Sequence, residues 1–315
     1  MQQLPERIAQ LRIDRLRSLL AAAQYGSFSA AAESLQLSQP RVSTHIADLE
    51  RVFRTTLFDR SRQPIALTEA GERLVGYARR AVDALLEAQA GLDESGQLSG
   101  RLVIGMYPSA AATIFGELVA GLAASSPELE IELWEGSTLE LGVALAEGDV
   151  DLAIRPSVPE PVAADRLSSA VLWTEPLVAV LRADDPLAGG AEIELGELAD
   201  RDLIMIGGPL GQRRRPGAFE SQRAFARAGI EPRIAQQTNQ PQTLLTLVRA
   251  GLGVGVTNRL AVASAGPGEL QVRRVVGEGC QRQVRVWWRT ASPLTRIHHA
   301  VIDECARLGR RLVPR

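Results

Sequence analysis

Residues 27–53 read SFSAAAESLQLSQPRVSTHIADLERVF, and this stretch decides the fold of the N-terminal part. Its second half separates into two faces. Val42, Ile46, Leu49 and Phe53 fall at i, i+4, i+7 and i+11, a single apolar stripe on a helix expected over Gln39–Phe53. Pro40, Thr44, Ala47 and Arg51 point away from that stripe, with Arg41, Ser43 and Asp48 flanking them. Ser38 stands as N-cap, and Gln39 and Pro40 occupy the first turn, where a missing backbone N–H costs nothing. Upstream, Ser29 is a candidate cap for a short helix through Ala30 to Leu35, whose alanines allow close packing, and Gln36-Leu37 forms the turn. Before it, Leu16, Leu19, Leu20 and Ala23 recur at helical spacing from Asp14, and Gly26 offers a stop.

A short helix, a tight turn and a second helix with small polar residues on its outward N-terminal half match a helix that reads DNA. Small outward residues let the backbone approach the base edges. Ser38, Gln39, Pro40, Arg41, Ser43 and Thr44 are the candidate contacts: Gln39, Ser43 and Thr44 for bases, Arg41 for a guanine or a phosphate. A three-helix packing module with a merely solvated face gives the same pattern, and the next segment separates the two. Residues 57–67, LFDRSRQPIAL, read as two short strands around a basic turn, a wing that places Arg60 and Arg62 for backbone phosphates. Thr68 then opens a long helix. Leu74, Ala78, Ala81, Leu85, Ala88 and Leu92 step by fours and threes along it, a seam for a partner helix or for its own chain. A dimer helix here would join two DNA-reading units and multiply specificity.

The charge pattern agrees. The net charge of −2 hides +4 over residues 1–80, −13 over 81–180 and +7 over 181–315, and every Lys/Arg-type cation is arginine. Only a local basic patch can meet a polyanion, and the first segment supplies one. At 315 residues, 45% apolar and 23% charged, the chain is long enough for two or three globular units. No signal-peptide succession and no uncharged run of membrane-spanning length occurs, so the expected location is the cytoplasm, with no membrane partner. Cys280 and Cys305 have neither disulfide nor metal-ligand spacing and read as ordinary buried thiols; no cofactor or metal is expected.

Residues 26–40, together with Leu49-Glu50, Leu57-Phe58-Asp59-Arg60 and Leu67-Thr68-Glu69-Ala70-Gly71, resemble the LysR-type transcriptional regulators in order and spacing. Arg41 and Thr44-His45 depart from that family's pattern, and His45 reads as structural rather than as a switch. The expected organisation is a winged helix-turn-helix over residues 1–67, a dimerisation helix over 68–92, a polar hinge over 93–100 and an effector-binding domain over 101–315.

Beyond the hinge, strands at 102–105, 129–133, 151–154, 177–181, 203–206, 253–257 and 284–288 alternate with helices, an α/β architecture with mainly parallel sheets. Helices are expected from Ser109, over 137–147, 216–227 and 241–250, and over 293–308. Ligands collect beyond the carboxyl ends of such strands, at Pro108-Ser109, Glu135-Gly136-Ser137-Thr138 and Gly207-Gly208-Pro209, although the hydroxyls there also serve as helix caps. Leu102 to Gly105, Glu135 to Thr138, Gly148 to Ile154 and Leu244 to Val256 extend the same family resemblance. It implies a two-lobed module like the periplasmic binding proteins, with crossovers near Pro161–Arg166 and Ala265–Leu270. Lobe I would hold about 101–161 and 270–315, and lobe II about 166–265. A small-molecule effector would lie between the lobes, against Ser109, Ser137, Thr138, Gly207 and Gly208, with Arg155 and Thr257 as further candidates. Double-stranded operator DNA, a dimer of dimers and RNA polymerase are the other expected partners.

Arg213-Arg214-Arg215 reads either as a solvated loop or as a lid that attracts an anionic effector. An enzyme finds little support: His298 and His299 lack a partner at ligand spacing, and the glycines of 251–255 follow a helix and precede a strand, the wrong order for a phosphate loop. A transport-type binding protein would explain the C-terminal part and not the first ninety residues.

Overall fold

The computed structural model of the chain describes Pro5, Ile8 and residues 11–61, 64–92, 98–207, 219–292 and 294–312. The chain divides into two compact units, Met1–Gly100 and Arg101–Arg315.

In the first unit α1 (Ile13–Tyr25), α2 (Phe28–Ser34) and α3 (Gln39–Phe53) pack around Leu19, Ala22, Ala31, Val42, Ile46 and Leu49, all fully buried. Each large aliphatic in that set contributes roughly 1.5–3 kcal/mol by leaving water. Gly26 ends α1 in the left-handed region at φ +59. The cap of α2 is Ser27, whose hydroxyl accepts the Ala30 N–H at 3.4 Å, and not Ser29, which lies inside the helix. The reason is geometric: Ser27 has the extended backbone a cap requires, φ −154 and ψ 131. Ser38 occupies the N-cap position of α3, but its side chain makes no capping bond. A two-stranded wing follows, β1 (Phe58–Asp59) antiparallel to β2 (Ala66–Leu67).

The long helix α4 (Glu69–Leu92) starts with the Thr68 hydroxyl accepting the Gly71 N–H at 3.0 Å. A Cβ on Gly71 would stand 2.1 Å from the Leu57 carbonyl, so glycine lets α4 pass close to the chain just before β1. The expected seam divides here. Leu74 and Ala78 are buried in the unit's own core, because the first turns of α4 pack on α1. Ala81, Leu85 and Ala88 are exposed, and the Leu92 side chain lies outside the described residues, as do residues 93–97 of the hinge.

The second unit runs from β3 (Gly100–Met106) into a helix α5, built of Pro108–Ala110, a wide π turn at Ala111–Phe115 and Gly116–Ala123. Then come β4 (Leu129–Glu135), α6 (Thr138–Glu147), β5 (Leu152–Pro156), β6 (Leu167–Leu181), β7 (Glu192–Glu194), β8 (Leu203–Ile206), α7 (Glu220–Arg227) and β9 (Ile234–Thr238). α8 (Pro241–Arg249), β10 (Val254–Asn258), α9 (Arg259–Ala265), β11 (Gln271–Val276), β12 (Gln281–Arg289) and α10 (Arg296–Leu312) complete it. One lobe's sheet has the order β4-β3-β5-β12-β6, and the other continues from β6 through β10 and β8 to β9, with β11 and β7 on its other side.

The crossovers lie later than the sequence suggested. β6 is one strand of 15 residues: Leu167 to Pro176 pair with β12, and Leu177 to Leu181 pair with β10 and β11. The first crossover is therefore at Pro176/Leu177, where a residue without an N–H is tolerated because the strand is changing partners. The second falls between Val276 and Gln281, since β11 pairs within one lobe and β12 within the other. Pro161–Arg166 and Ala265–Leu270 are connections inside their lobes. The sheets are mixed: β3/β5, β8/β9, β8/β10 and β7/β11 are parallel, whereas β6 and β12 make antiparallel pairs. The helix expected from Pro216 begins at Glu220, and residues 208–218 lie outside the described set.

Candidate functional site

On α3 the outward residues Ser38, Gln39, Pro40, Arg41, Thr44 and Ala47 are exposed and Ser43 is half-buried. The opposite face is locked: Asp48 receives Arg15 at 3.0 Å, and the His45 Nδ1 meets the Ser18 hydroxyl at 2.7 Å. Burial, and then the neighbouring Arg41 and Arg15, pull the His45 pKa below its usual value, so it stands as a neutral packing partner. The Thr44 hydroxyl donates to the Pro40 carbonyl at 2.9 Å, which leaves its lone pairs and methyl group for a base edge. Arg60 is less free than the sequence implied. Its guanidinium bonds Glu50 at 3.1 Å and lies 5.6 Å from the Phe28 ring centroid, so it braces the wing against α3. Arg62 lies outside the described residues.

In the second unit a cavity of about 510 Å³ opens between the two lobes. Ser109, Ser137, Thr138, Gly207 and Thr257, five of the seven expected effector contacts, line it together. The Ser137 hydroxyl also serves its own helix, accepting the Glu140 N–H at 3.3 Å while the Glu140 carboxylate accepts the Ser137 N–H at 2.7 Å. Those bonds hold the Glu140 carboxyl below its ordinary pKa. Gly208 is outside the described residues. Arg155 does not reach the cavity. It is fully buried in the first lobe, donating to the carbonyls of Thr138 (3.0 Å) and Pro159, with Trp287 5.6 Å away. Burial lowers its pKa to about 10, and its work is to tie the first turn of α6 to the chain at Pro159.

Sequence reasoning missed the floor of the cavity. Arg282 of β12 is buried there, its Nε donating to Glu175 of β6 at 2.8 Å and its guanidinium lying 4.9 Å from the Tyr107 ring centroid. The second oxygen of Glu175 accepts the Leu260 N–H at 2.8 Å, tying the crossover strands to the start of α9. Burial works against the Arg282 charge, yet Glu175, Tyr107 and Glu220 outweigh it and drive its pKa up. Burial pushes the Tyr107 hydroxyl up against the pull of the neighbouring Arg282, and the Thr257 hydroxyl is buried without a hydrogen-bond partner. Gln237, Thr238, Asn239 and Pro241 close the second lobe's side, on β9 and the start of α8.

Two family models match this chain: the bacterial regulatory helix-turn-helix of the lysR family over residues 13–72, and the LysR substrate binding domain over 95–310. The chain belongs to the LysR family of transcriptional regulators. Among its LysR relatives, the Hca operon transcriptional activator HcaR of Escherichia coli is 30% identical over 78% of this chain and 81% of its own. The DNA-binding transcriptional dual regulator OxyR of the same species is 29% identical over 90% of this chain and 91% of its own. A solved full-length OxyR variant from Pseudomonas aeruginosa superposes with a TM-score of 0.71 at 25% identity, covering 96% of this chain and 95% of that one. As a LysR regulator this chain is a DNA-binding transcription factor with a separate substrate-binding domain, and its family is one of regulators, not of enzymes. No described helix is long and apolar enough to cross a membrane.

Proposed function

We propose that this regulator reads operator DNA with Gln39, Arg41, Ser43 and Thr44 of α3, and that a small molecule held between the lobes of the second unit controls how it does so. The observation that carries the reading is the cavity of about 510 Å³, lined from both lobes, within a chain whose other unit presents an exposed helix of small polar residues. β6 runs from one lobe into the other and the connection between β11 and β12 crosses back, so a ligand that prefers one lobe angle shifts the population of angles and with it the DNA bend. Chains pair through the exposed part of α4, at Ala81, Leu85 and Ala88, and pair again as a dimer of dimers, giving a homotetramer that spans two DNA sites. It acts in the cytoplasm, on the nucleoid, with RNA polymerase as the machinery it instructs.

Peroxide sensing, which the OxyR relatives bring to mind, finds no support in the thiols. Burial pushes Cys305 up to about 12 and Cys280 up as well, whereas a reactive cysteine is an accessible thiolate.

DNase I footprinting of the region upstream of its own gene tests the proposal, with circularly permuted fragments reporting the bend. Wild type should protect paired sites one or more helical turns apart. Ser109→Trp, which fills the cavity, should keep those sites and fix the bend at one value whatever the growth medium extract added. No protected site, or a bend in Ser109→Trp that still responds to extract, would contradict it.

A further inference from the structure

Behind the crossover, on the side away from the cleft, lies a second cavity of about 290 Å³. β12 separates the two: Arg282 borders the cleft, while its neighbours Gln281 and Gln283 line the second cavity. Ser157 and Thr174, the latter opposite Gln283 on β6, complete the first lobe's wall. The Gln283 Oε1 accepts from the Arg285 Nη1 at 3.1 Å, which leaves its amide N–H groups for the cavity. The second lobe supplies one face of α7, where Glu220, Arg223 and Arg227 follow at i, i+3 and i+7. Arg227 lies over Gly279 at the second crossover, its Nη1 2.9 Å from where a Cβ would stand. Glu220 is only 8% exposed, and its Oε1 is buried with no hydrogen-bond partner among the described residues. A buried acceptor left in this state costs free energy until something donates to it.

We propose that this second cavity is a site for inorganic phosphate, bound as hydrogen phosphate. Its wall sets guanidinium groups, hydroxyls and side-chain amides, all able to donate, around one group that is an acceptor when ionised, Glu220. So many donors ask for an oxyanion, and the arginines make the bonds charge-assisted. The carboxylate among them decides which one. It repels an oxyanion that carries no hydrogen and accepts a hydrogen bond from one that does. Hydrogen phosphate keeps one P–O–H at neutral and mildly alkaline pH. Sulfate has none, and a phosphate monoester has none above its second pKa of about 6. The volume admits the anion together with several waters, each taking about 30 Å³.

Phosphate held here ties α7 of the second lobe to β6 and β12 of the first, and so resists rotation of the lobes about the crossover. A ligand in the cleft acts on the same crossover from the opposite face, so two occupants bias one equilibrium. The phosphate site itself does not depend on the cleft being the effector site.

Isothermal titration of the full-length chain at pH 8, in chloride buffer, with inorganic phosphate, sulfate and glycerol 3-phosphate tests the proposal. Phosphate should bind one site per chain about tenfold or more tighter than either of the others, the size of one charge-assisted hydrogen bond. Arg223→Gln with Arg227→Gln, both at exposed positions, should weaken phosphate by about tenfold or more. Glu220→Gln keeps the side chain's shape and can donate, so sulfate should come within about threefold of phosphate. Ser109→Trp, which fills the cleft, should leave phosphate binding unchanged. Sulfate or glycerol 3-phosphate binding as tightly as phosphate to the wild type would overturn the proposal. So would phosphate affinity that survives the double arginine variant, or a preference over sulfate that survives Glu220→Gln. Loss of phosphate binding in Ser109→Trp would move the anion to the cleft, and no saturable phosphate binding would remove it altogether; either overturns the site. Should Glu220→Gln fail to fold, the anion series and the arginine variant decide alone.

Discussion

The residues of α3 proposed to read DNA lie within one stretch, Ser38–Thr44, whereas the cleft draws its lining from Tyr107 to Arg282. In the first case a helix period and a cap bring neighbours in sequence onto one face, and tertiary packing has only to hold the opposite face down. In the second, side chains separated by more than a hundred residues meet because β6 and β12 lie in register, Glu175 opposite Arg282. A site of the first kind depends on local chemistry and the stability of one small unit. A site of the second kind depends on the crossover, and it moves when the lobes move.

That contrast can be broken most forcefully in the core of the first unit. Ile46→Ala, at a fully buried position, should cost about 2–5 kcal/mol. All four tryptophans, at 134, 173, 287 and 288, belong to the second unit, so their fluorescence reports that unit alone. The unfolding transition seen by far-UV circular dichroism should split, its early part moving to lower denaturant while the tryptophan transition stays in place. A tryptophan transition that moves equally would mean the two units unfold as one.

A smaller effect separates two neighbouring serines. Ser27→Ala removes the cap of α2 and should cost about 0.5–2 kcal/mol, while Ser29→Ala, inside the helix, should stay within about 0.5 kcal/mol of wild type. Equal costs would return the cap to Ser29.

Smaller again, Arg62→Ala should weaken specific and non-specific duplex binding alike and lower the salt slope by about one unit. A loss confined to the specific duplex would make Arg62 a base reader.

The smallest effect concerns pH. His45 has a folded pKa below its unfolded value, so the unfolded chain takes up the proton first. Its contribution to stability is present above about pH 6.5 and is lost as pH falls below that value through the lower folded pKa. The first unit should therefore melt earlier at pH 5.5 than at 7.5, and His45→Gln should flatten that difference.

How far the sequence could be read follows the same division. The stripe Val42, Ile46, Leu49 and the limits of α3 stand where the helical period places them. β6 was half hidden because Ser168, Ser169, Thr174 and Glu175 interrupt any apolar run and Pro176 reads as a stop. β9 (IAQQT) and β11 (QVRRVV) lack a clean alternation because Gln237 and Thr238 of β9 line the cleft and Arg273 of β11 holds the Ala188 carbonyl. Arg282 carried a signal that was present but short: it alternates with Val284 and Val286, so extending β12 back by two residues puts it on the inward face. Arg155 misled in the opposite direction. The end of a strand is where ligands gather, yet its guanidinium turns back to hold the carbonyls of Thr138, at the start of α6, and Pro159.

The central claim is that α3 reads sequence through its small polar face. Fluorescence anisotropy of the full-length protein, at one fixed salt concentration, with the footprinted duplex and a scrambled duplex of equal length, measures it directly. Ser43→Ala with Thr44→Ala should lower affinity for the footprinted duplex by about 1–3 kcal/mol per lost base contact and leave the scrambled duplex nearly unchanged. Equal losses on both duplexes, or none on either, would contradict it.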